Sequence, residues 1–229
     1  MKVVLTGVTG LVGSATLKQC IKDERITSII ALSRRELPLE LTSSEKVKVI
    51  IHKDFLQYPD NLLGELRDSE ACLWSIGGPV DQFPDVETAK KVQIDYTLAA
   101  AEAFAARLLP QTKSKTFRFV LCSAALAERD DAKKLIFESA TRHIKGQVEN
   151  GLIDIAKRNS GFETFIMRPA GILPEHPSLS YTIAGAIIPS VKVTELAAVM
   201  IDVAVEGAKE QTLENGEIAR RGKALVKEA

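Results

Sequence analysis

Residues 3–17, VVLTGVTGLVGSATL, decide the fold. A β-branched run ends at Thr6, three glycines follow at positions 7, 10 and 13, and an apolar helical pattern starts at Leu11. A GxxGxxG array between a strand and a helix is the turn that cradles a pyrophosphate. The first glycine permits a tight turn, the second lets an anion approach the backbone, and the third lets the helix pack on the sheet. The helix start presents unpaired N–H groups and a partial positive charge, so an anion belongs there. Thr9, Leu11 and Val12 fill the turn and join Gly7, Gly10 and Gly13 as candidate dinucleotide-binding residues.

Outward from this turn, strand and helix patterns alternate. Short runs rich in β-branched and aromatic residues lie at 2–6, 26–32, 47–51, 71–76, 117–121 and 162–167. Helical patterns lie at 11–22, 59–66, 86–108, 131–158 and 194–207. Near-continuous apolar strands separated by helices predict a parallel sheet covered on both faces, a doubly wound α/β (Rossmann) domain. No repeat or linker breaks the order before residue 171. The expected organisation is a nucleotide-binding core over 1–171 and a small C-terminal portion over 172–229, not an independent domain. Its Pro-rich segment GILPEHPSLSYTIAGAIIP, residues 171–189, is the expected substrate lid.

The chain has 229 residues, 45% of them hydrophobic and 26% charged, which suits one large globular domain. Thirty basic residues balance thirty acidic ones, so no global field attracts nucleic acid or anionic lipid. Cys20, Cys72 and Cys122 form no CxxC pair and sit among apolar residues, as expected of reduced thiols in a cytoplasmic protein. No apolar run approaches the length of a membrane span. His52, His143 and His176 are scattered without ligand spacing, so no metal site is expected. Neither a GxSxG elbow nor a GxxxxGK[ST] loop is present, which removes the serine-hydrolase and P-loop classes.

The second strand runs into ALSRREL, with Ser33, Arg34 and Arg35 where an acidic residue would hold an adenine-ribose hydroxyl. Basic side chains there favour a 2′-phosphate, hence NADP(H) over NAD(H).

Together TGVTGLVG, ALSRR, HKDF and MRPAGIL make the chain resemble an atypical short-chain dehydrogenase/reductase. Within that superfamily it is most similar to NmrA-like and fungal nucleoside-diphosphate-sugar-epimerase-like proteins. The resemblance implies that Asp54 and Phe55 border the adenine, that the backbone of Ser75, Ile76 and Gly77 lies along the ribose, and that Pro169 and Ala170 lie near the nicotinamide. It also implies a catalytic Ser at Ser123 and a Lys at Lys145, which holds the nicotinamide ribose and is followed by Gly146. Four residues before Lys145 the superfamily has a tyrosine whose phenol, acidified by the lysine, moves the proton. Here that position is Thr141, and an aliphatic hydroxyl is too weak an acid to replace a phenol.

His143, about 200° around the helix from Lys145, is expected to point elsewhere. Asp95 and Tyr96 resemble the superfamily's segment on the long helix, and Tyr96 or Tyr181 could reach the site. The function expected is an NADP(H)-dependent oxidoreductase acting on a small carbonyl or polyketide-like metabolite. The alternatives are a non-redox isomerase or cyclase, and a non-catalytic NADP(H) sensor that binds a protein. Relatives use the helices at 86–108 and 131–158 to dimerise, and atypical members are often monomers, so monomer and homodimer both stand.

Overall fold

A computed structural model describes residues 1–176, 178 and 189–228. Its core is a seven-stranded parallel sheet built from β1 (Lys2–Thr6), β2 (Ser28–Ser33), β3 (Val47–Ile51), β4 (Ala71–Trp74), β5 (Phe117–Cys122), β6 (Phe162–Arg168) and β9 (Thr212–Glu214). The order is β3-β2-β1-β4-β5-β6-β9. After β1 the chain moves outward to β2 and β3, then returns to the other side of β1 with β4 and continues away. That reversal opens a crevice at the carboxyl ends of β1 and β4, where nucleotides bind in such sheets.

Side-chain alternation builds the two layers. On β1, Val3 and Leu5 face one way and pack with Leu17 and Cys20 of α1 (Leu11–Lys22) and with Leu196, Met200 and Val203 of α7 (Val193–Glu206). Val4 faces the other way, with Cys72, Trp74, Phe104, Phe119, Val148 and Leu152. This second layer holds α3 (Asp60–Glu65), α5 (Tyr96–Arg107) and α6 (Ser139–Arg158). A four-residue α2 (Leu39–Thr42) precedes β3.

The helix expected over 86–108 is one continuous rod in three parts: α4 (Val86–Lys90), a π-helical turn (Lys91–Asp95) and α5. The helix expected over 131–158 starts only at Ser139, after Glu138 adopts a left-handed backbone with φ 47°. Residues 123–138 run as a loop across α6. Gly146 permits this, because a Cβ there would stand 1.7 Å from the carbonyl oxygen of Glu128.

The C-terminal portion contributes to the core. α7 is buried between α1 and α8 (Asn215–Glu228), and β9 is the seventh strand. β7 (Gly171–Leu173) pairs in parallel with β8 (Ser190–Lys192), bracketing the segment expected as a lid. Most of that segment, Tyr181 included, lies outside the described residues. Among the described residues no helix is long and apolar enough to cross a membrane, and no group of His, Cys, Asp and Glu could hold a metal ion.

Candidate active site

The glycine turn is closed by backbone contacts. Gly7 has φ +68°, a conformation open to glycine, and a Cβ on it would lie 2.4 Å from the carbonyl oxygen of Ser75. A Cβ on Gly13 would lie 2.2 Å from the carbonyl oxygen of Gly7, so α1 packs directly onto the turn. Gly10 has more room, 3.3 Å from the same oxygen, and its N–H donates to that carbonyl at 2.9 Å. Gly10 caps α1 without any side-chain hydrogen bond, and the first turn carries no acidic residue. The N–H groups of Leu11, Val12 and Gly13 lack intrahelical acceptors and are available to an anion.

Above the turn is a cleft of about 200 Å³. Gly7, Thr9, Gly10, Ser33, Arg34, Phe55, Ser75, Ile76 and Gly77 all line it, together with Val8, Leu32, Phe83, Val92 and Tyr96. Arg34 is exposed at the end of β2. Ser33 turns back on its own chain, its hydroxyl donating to the Arg35 carbonyl at 2.6 Å. Phe55 is buried against the wall, 5.8 Å from the Tyr96 ring and 6.0 Å from Trp74 between centroids.

Other expected site residues stand apart from the lining. Arg35 is exposed beside it. Asp54 is exposed and accepts from the Leu56 N–H at 3.0 Å, so its carboxylate caps a turn that sets Phe55 in the wall. Pro169 accepts the Ala125 N–H at 2.7 Å, and the Ala170 N–H donates to Asn215 Oδ1 at 2.9 Å. Both groups tie β6 to its neighbours.

At the Gly77 end the side chains of three elements converge. Lys145 Nζ and Gln93 Oε1 each come to 3.0 Å of where a Cβ would stand on Gly77. Lys145 is 8% exposed, and among the described residues it makes no hydrogen bond or ion pair. Burial pulls its ammonium below the usual lysine range, while Cys122 and Glu149 oppose the shift. A buried, unpaired, perturbed lysine at a cleft is a mark of a functional site. Gln93 is 2% exposed, accepts from the Gly78 N–H at 3.3 Å, and leaves its Nε2 without a partner. Ser75 Oγ is likewise buried and unpartnered. Gln93 was not among the residues expected from sequence. It is aimed inward by the π-helical turn, a feature common at functional sites, and no sequence signal marks that turn.

The hydroxyls of Ser123, an expected catalytic residue, and of Thr141, at the superfamily's tyrosine position, are engaged elsewhere. Thr141 Oγ1 accepts from the Val80 N–H at 3.2 Å and so anchors the loop after β4 to α6. Ser123, 6% exposed, donates its hydroxyl to Glu149 Oε1 at 2.6 Å. A serine has one hydroxyl hydrogen, so in this arrangement it offers none to a substrate carbonyl. Glu149 is fully buried and also accepts from Arg129 Nε at 2.7 Å and from Arg168. His143 faces Asp131, at 3.7 Å, away from Lys145.

No protein-family model matches the chain. Leucinostatins biosynthesis cluster protein T of Purpureocillium lilacinum is 36% identical over 106 residues, which span 46% of this chain and 38% of that protein. A Candida albicans protein named FMP52, mitochondrial, is 28% identical over 176 residues, 76% of this chain and 69% of its own length. Among solved structures, yeast methylglyoxal/isovaleraldehyde reductase Gre2 complexed with NADPH superposes with a TM-score of 0.72 at 14% identity, covering 93% of this chain and 77% of that one. DesIV, a dTDP-glucose 4,6-dehydratase from Streptomyces venezuelae with NAD bound, superposes with a TM-score of 0.68 at 14% identity, covering 99% and 80%. The chain therefore has the Rossmann-like α/β fold of these solved structures.

Proposed function

We propose that the protein binds NADP(H) in this cleft and reduces a small carbonyl compound, with Lys145 delivering the proton in place of the superfamily's tyrosine. The observation that carries it is the buried Lys145, unpaired among the described residues, whose Nζ lies against Gly77 where the cleft that begins at the glycine turn ends. The orphaned polar atoms at that end, Ser75 Oγ and Gln93 Nε2, suit the hydroxyl-rich surface of a dinucleotide. The turn and the first N–H groups of α1 would hold the pyrophosphate, Phe55 and Tyr96 would flank the adenine, and Arg34 with Arg35 would face the 2′-phosphate. Lys145 and Gln93 would hold the nicotinamide ribose.

A reduced nicotinamide bound there would supply the hydride, itself becoming oxidised, while this chain's own groups would position the carbonyl and move the proton. The Lys145 ammonium would hydrogen-bond the carbonyl oxygen and give it a proton, then regain one from water. Desolvation makes that ammonium a stronger acid than a solvated lysine, which is the direction a proton donor needs. The name of the leucinostatins-cluster relative supports a secondary metabolite as the carbonyl compound.

Energy transfer from Trp74, the single tryptophan and a neighbour of Phe55, tests binding. NADPH should bind more tightly than NADH, and replacing Arg34 and Arg35 together by alanine should weaken NADPH about tenfold or more while sparing NADH. Equal loss of both nucleotides would remove the 2′-phosphate assignment. For chemistry, NADPH oxidation with methylglyoxal and isovaleraldehyde as probes should fall about a hundredfold or more in Lys145→Met and persist in Tyr96→Phe. The reverse pattern would make Tyr96 the donor.

A second function is supported by the engaged hydroxyls of Ser123 and Thr141: a sensor that binds NADP(H) without turning it over. Saturable NADPH binding with no oxidation across a broad carbonyl panel would select it.

A further inference from the structure

Lys145 and Glu149 are four residues apart on α6 and therefore share a helix face. Both are buried, but their surroundings differ. Among the described residues Lys145 has no hydrogen-bond partner, whereas Glu149 collects Ser123 from the end of β5, Arg129 from the loop that crosses α6, and Arg168 from the end of β6. Arg129 continues to Thr212 Oγ1 at 2.9 Å and Arg168 to Glu214 at 3.3 Å, so the cluster is braced against β9. An ionised carboxylate fully removed from water needs this much compensation. The same removal from water lets its field act on the next turn of the helix with little screening.

We propose that Glu149 is a positioning residue for Lys145: its carboxylate, fixed by Ser123, Arg129 and Arg168, holds the neighbouring ammonium in its protonated form beside Gly77 at the end of the cleft. The inference rests on the placement of Lys145 at the cleft and adds a residue that touches neither nucleotide nor substrate. Other groups packed around Lys145 do not do this work. Burial pushes the Cys122 thiol up to about 11, so on the β5 side the neighbour is uncharged near neutrality. Gln93, on the π-helical turn, is neutral. The two arginines temper the carboxylate from the far side, because each draws on the same negative charge. Arg129 is therefore a counterweight as well as a brace, and its side chain is 34% exposed, so it can be replaced without opening the core.

The test follows the titration of Lys145 itself, by NMR of the protein labelled at lysine Cε, with Lys145→Met identifying the resonance. Glu149→Gln should lower the titration midpoint by about one pH unit or more, and Arg129→Met should raise it by a smaller amount. Opposite signs are what a field effect predicts. A merely structural cluster would leave the midpoint unmoved in both variants or shift it the same way in both, and either result overturns the proposal. Should Glu149→Gln fail to fold, Arg129→Met decides alone: a rise supports the field effect, and no change or a fall overturns it. NADPH titration of the same samples keeps the two assignments apart. Midpoints that move as expected in a protein that binds no NADPH would sink the cofactor assignment and leave the Glu149–Lys145 coupling standing.

Discussion

The two ends of the cleft are built by different means. At the glycine end, backbone meets backbone: Gly13 lies on Gly7, and Gly7 lies on Ser75, with no space for a side chain at either contact. At the Lys145 end the contacts run through side chains, to other side chains or to backbone N–H groups, and the role of each depends on what its neighbours have already claimed. Ser123 faces Glu149, Thr141 holds Val80, and Lys145 is left without a partner. The first kind of site is determined by residue type and spacing, the second by partners far apart in the chain.

The sharpest way to break the contrast is to add one methyl group at each end. Gly13→Ala and Gly146→Ala would both force a Cβ into backbone, at 2.2 and 1.7 Å, and each should cost about 3 kcal/mol or more in urea unfolding. Gly10→Ala, with 3.3 Å of clearance, should fold nearly as well as the parent while binding NADPH more weakly. Equal stability in all three variants would refute the backbone-contact argument.

Next in size is Ser123→Ala. It removes a buried hydrogen bond to a carboxylate and should cost about 2 kcal/mol in the same assay. Were Ser123 instead a group that faces substrate, stability would hold and only turnover would drop.

Lys145 gives a pH signature. Its folded pKa lies below the unfolded value, so at low pH the folded state carries the cost of a buried charge that the unfolded state does not. Between the folded pKa and the unfolded value of about 10.5 the unfolded chain binds more protons, and stability contributed by this group rises with pH. Buried Tyr58 and Cys72, whose pKa values are raised, work in the opposite sense at alkaline pH. The difference between wild type and Lys145→Met isolates the lysine: the variant should lead at neutral pH, and its lead should shrink as pH rises through the folded pKa. A pH-independent difference would mean that Lys145 titrates as a solvated side chain.

Smallest is Thr141→Val, which drops one hydrogen bond to the Val80 N–H and should cost about 1 kcal/mol with NADPH affinity unchanged.

How far these regions could be anticipated follows the same division. The limits of β1, β3 and α1 coincide with their sequence patterns, because an apolar run followed by glycine punctuation carries its own boundaries. β9 was not anticipated. It has three residues, too few to show a period, and it is a strand because β6 offers it an edge. The late start of α6 was missed for a related reason: residues 131–138 carry a helical composition, but the loop must cross Gly146 to reach Glu149 with Arg129. Of the residues that line the cleft, Phe55 and the 75–77 turn came only through the family resemblance, and Gly7, Gly10 and Arg34 were legible from spacing. Gln93 and Glu149 were not, since one is aimed by a π-helical turn and the other matters through partners 20 and 19 residues away.

The interlocked glycines also bear on how such a molecule can change over generations. Because the phosphate turn is part of how α1 seats on the sheet, a chain that folds at all inherits the turn with its shape intact. Drift is filtered there by the folding reaction before any chemistry is tested. At the other end of the cleft Thr141 contributes a single loop contact, so side chains there can vary without disturbing how α1 seats on the sheet.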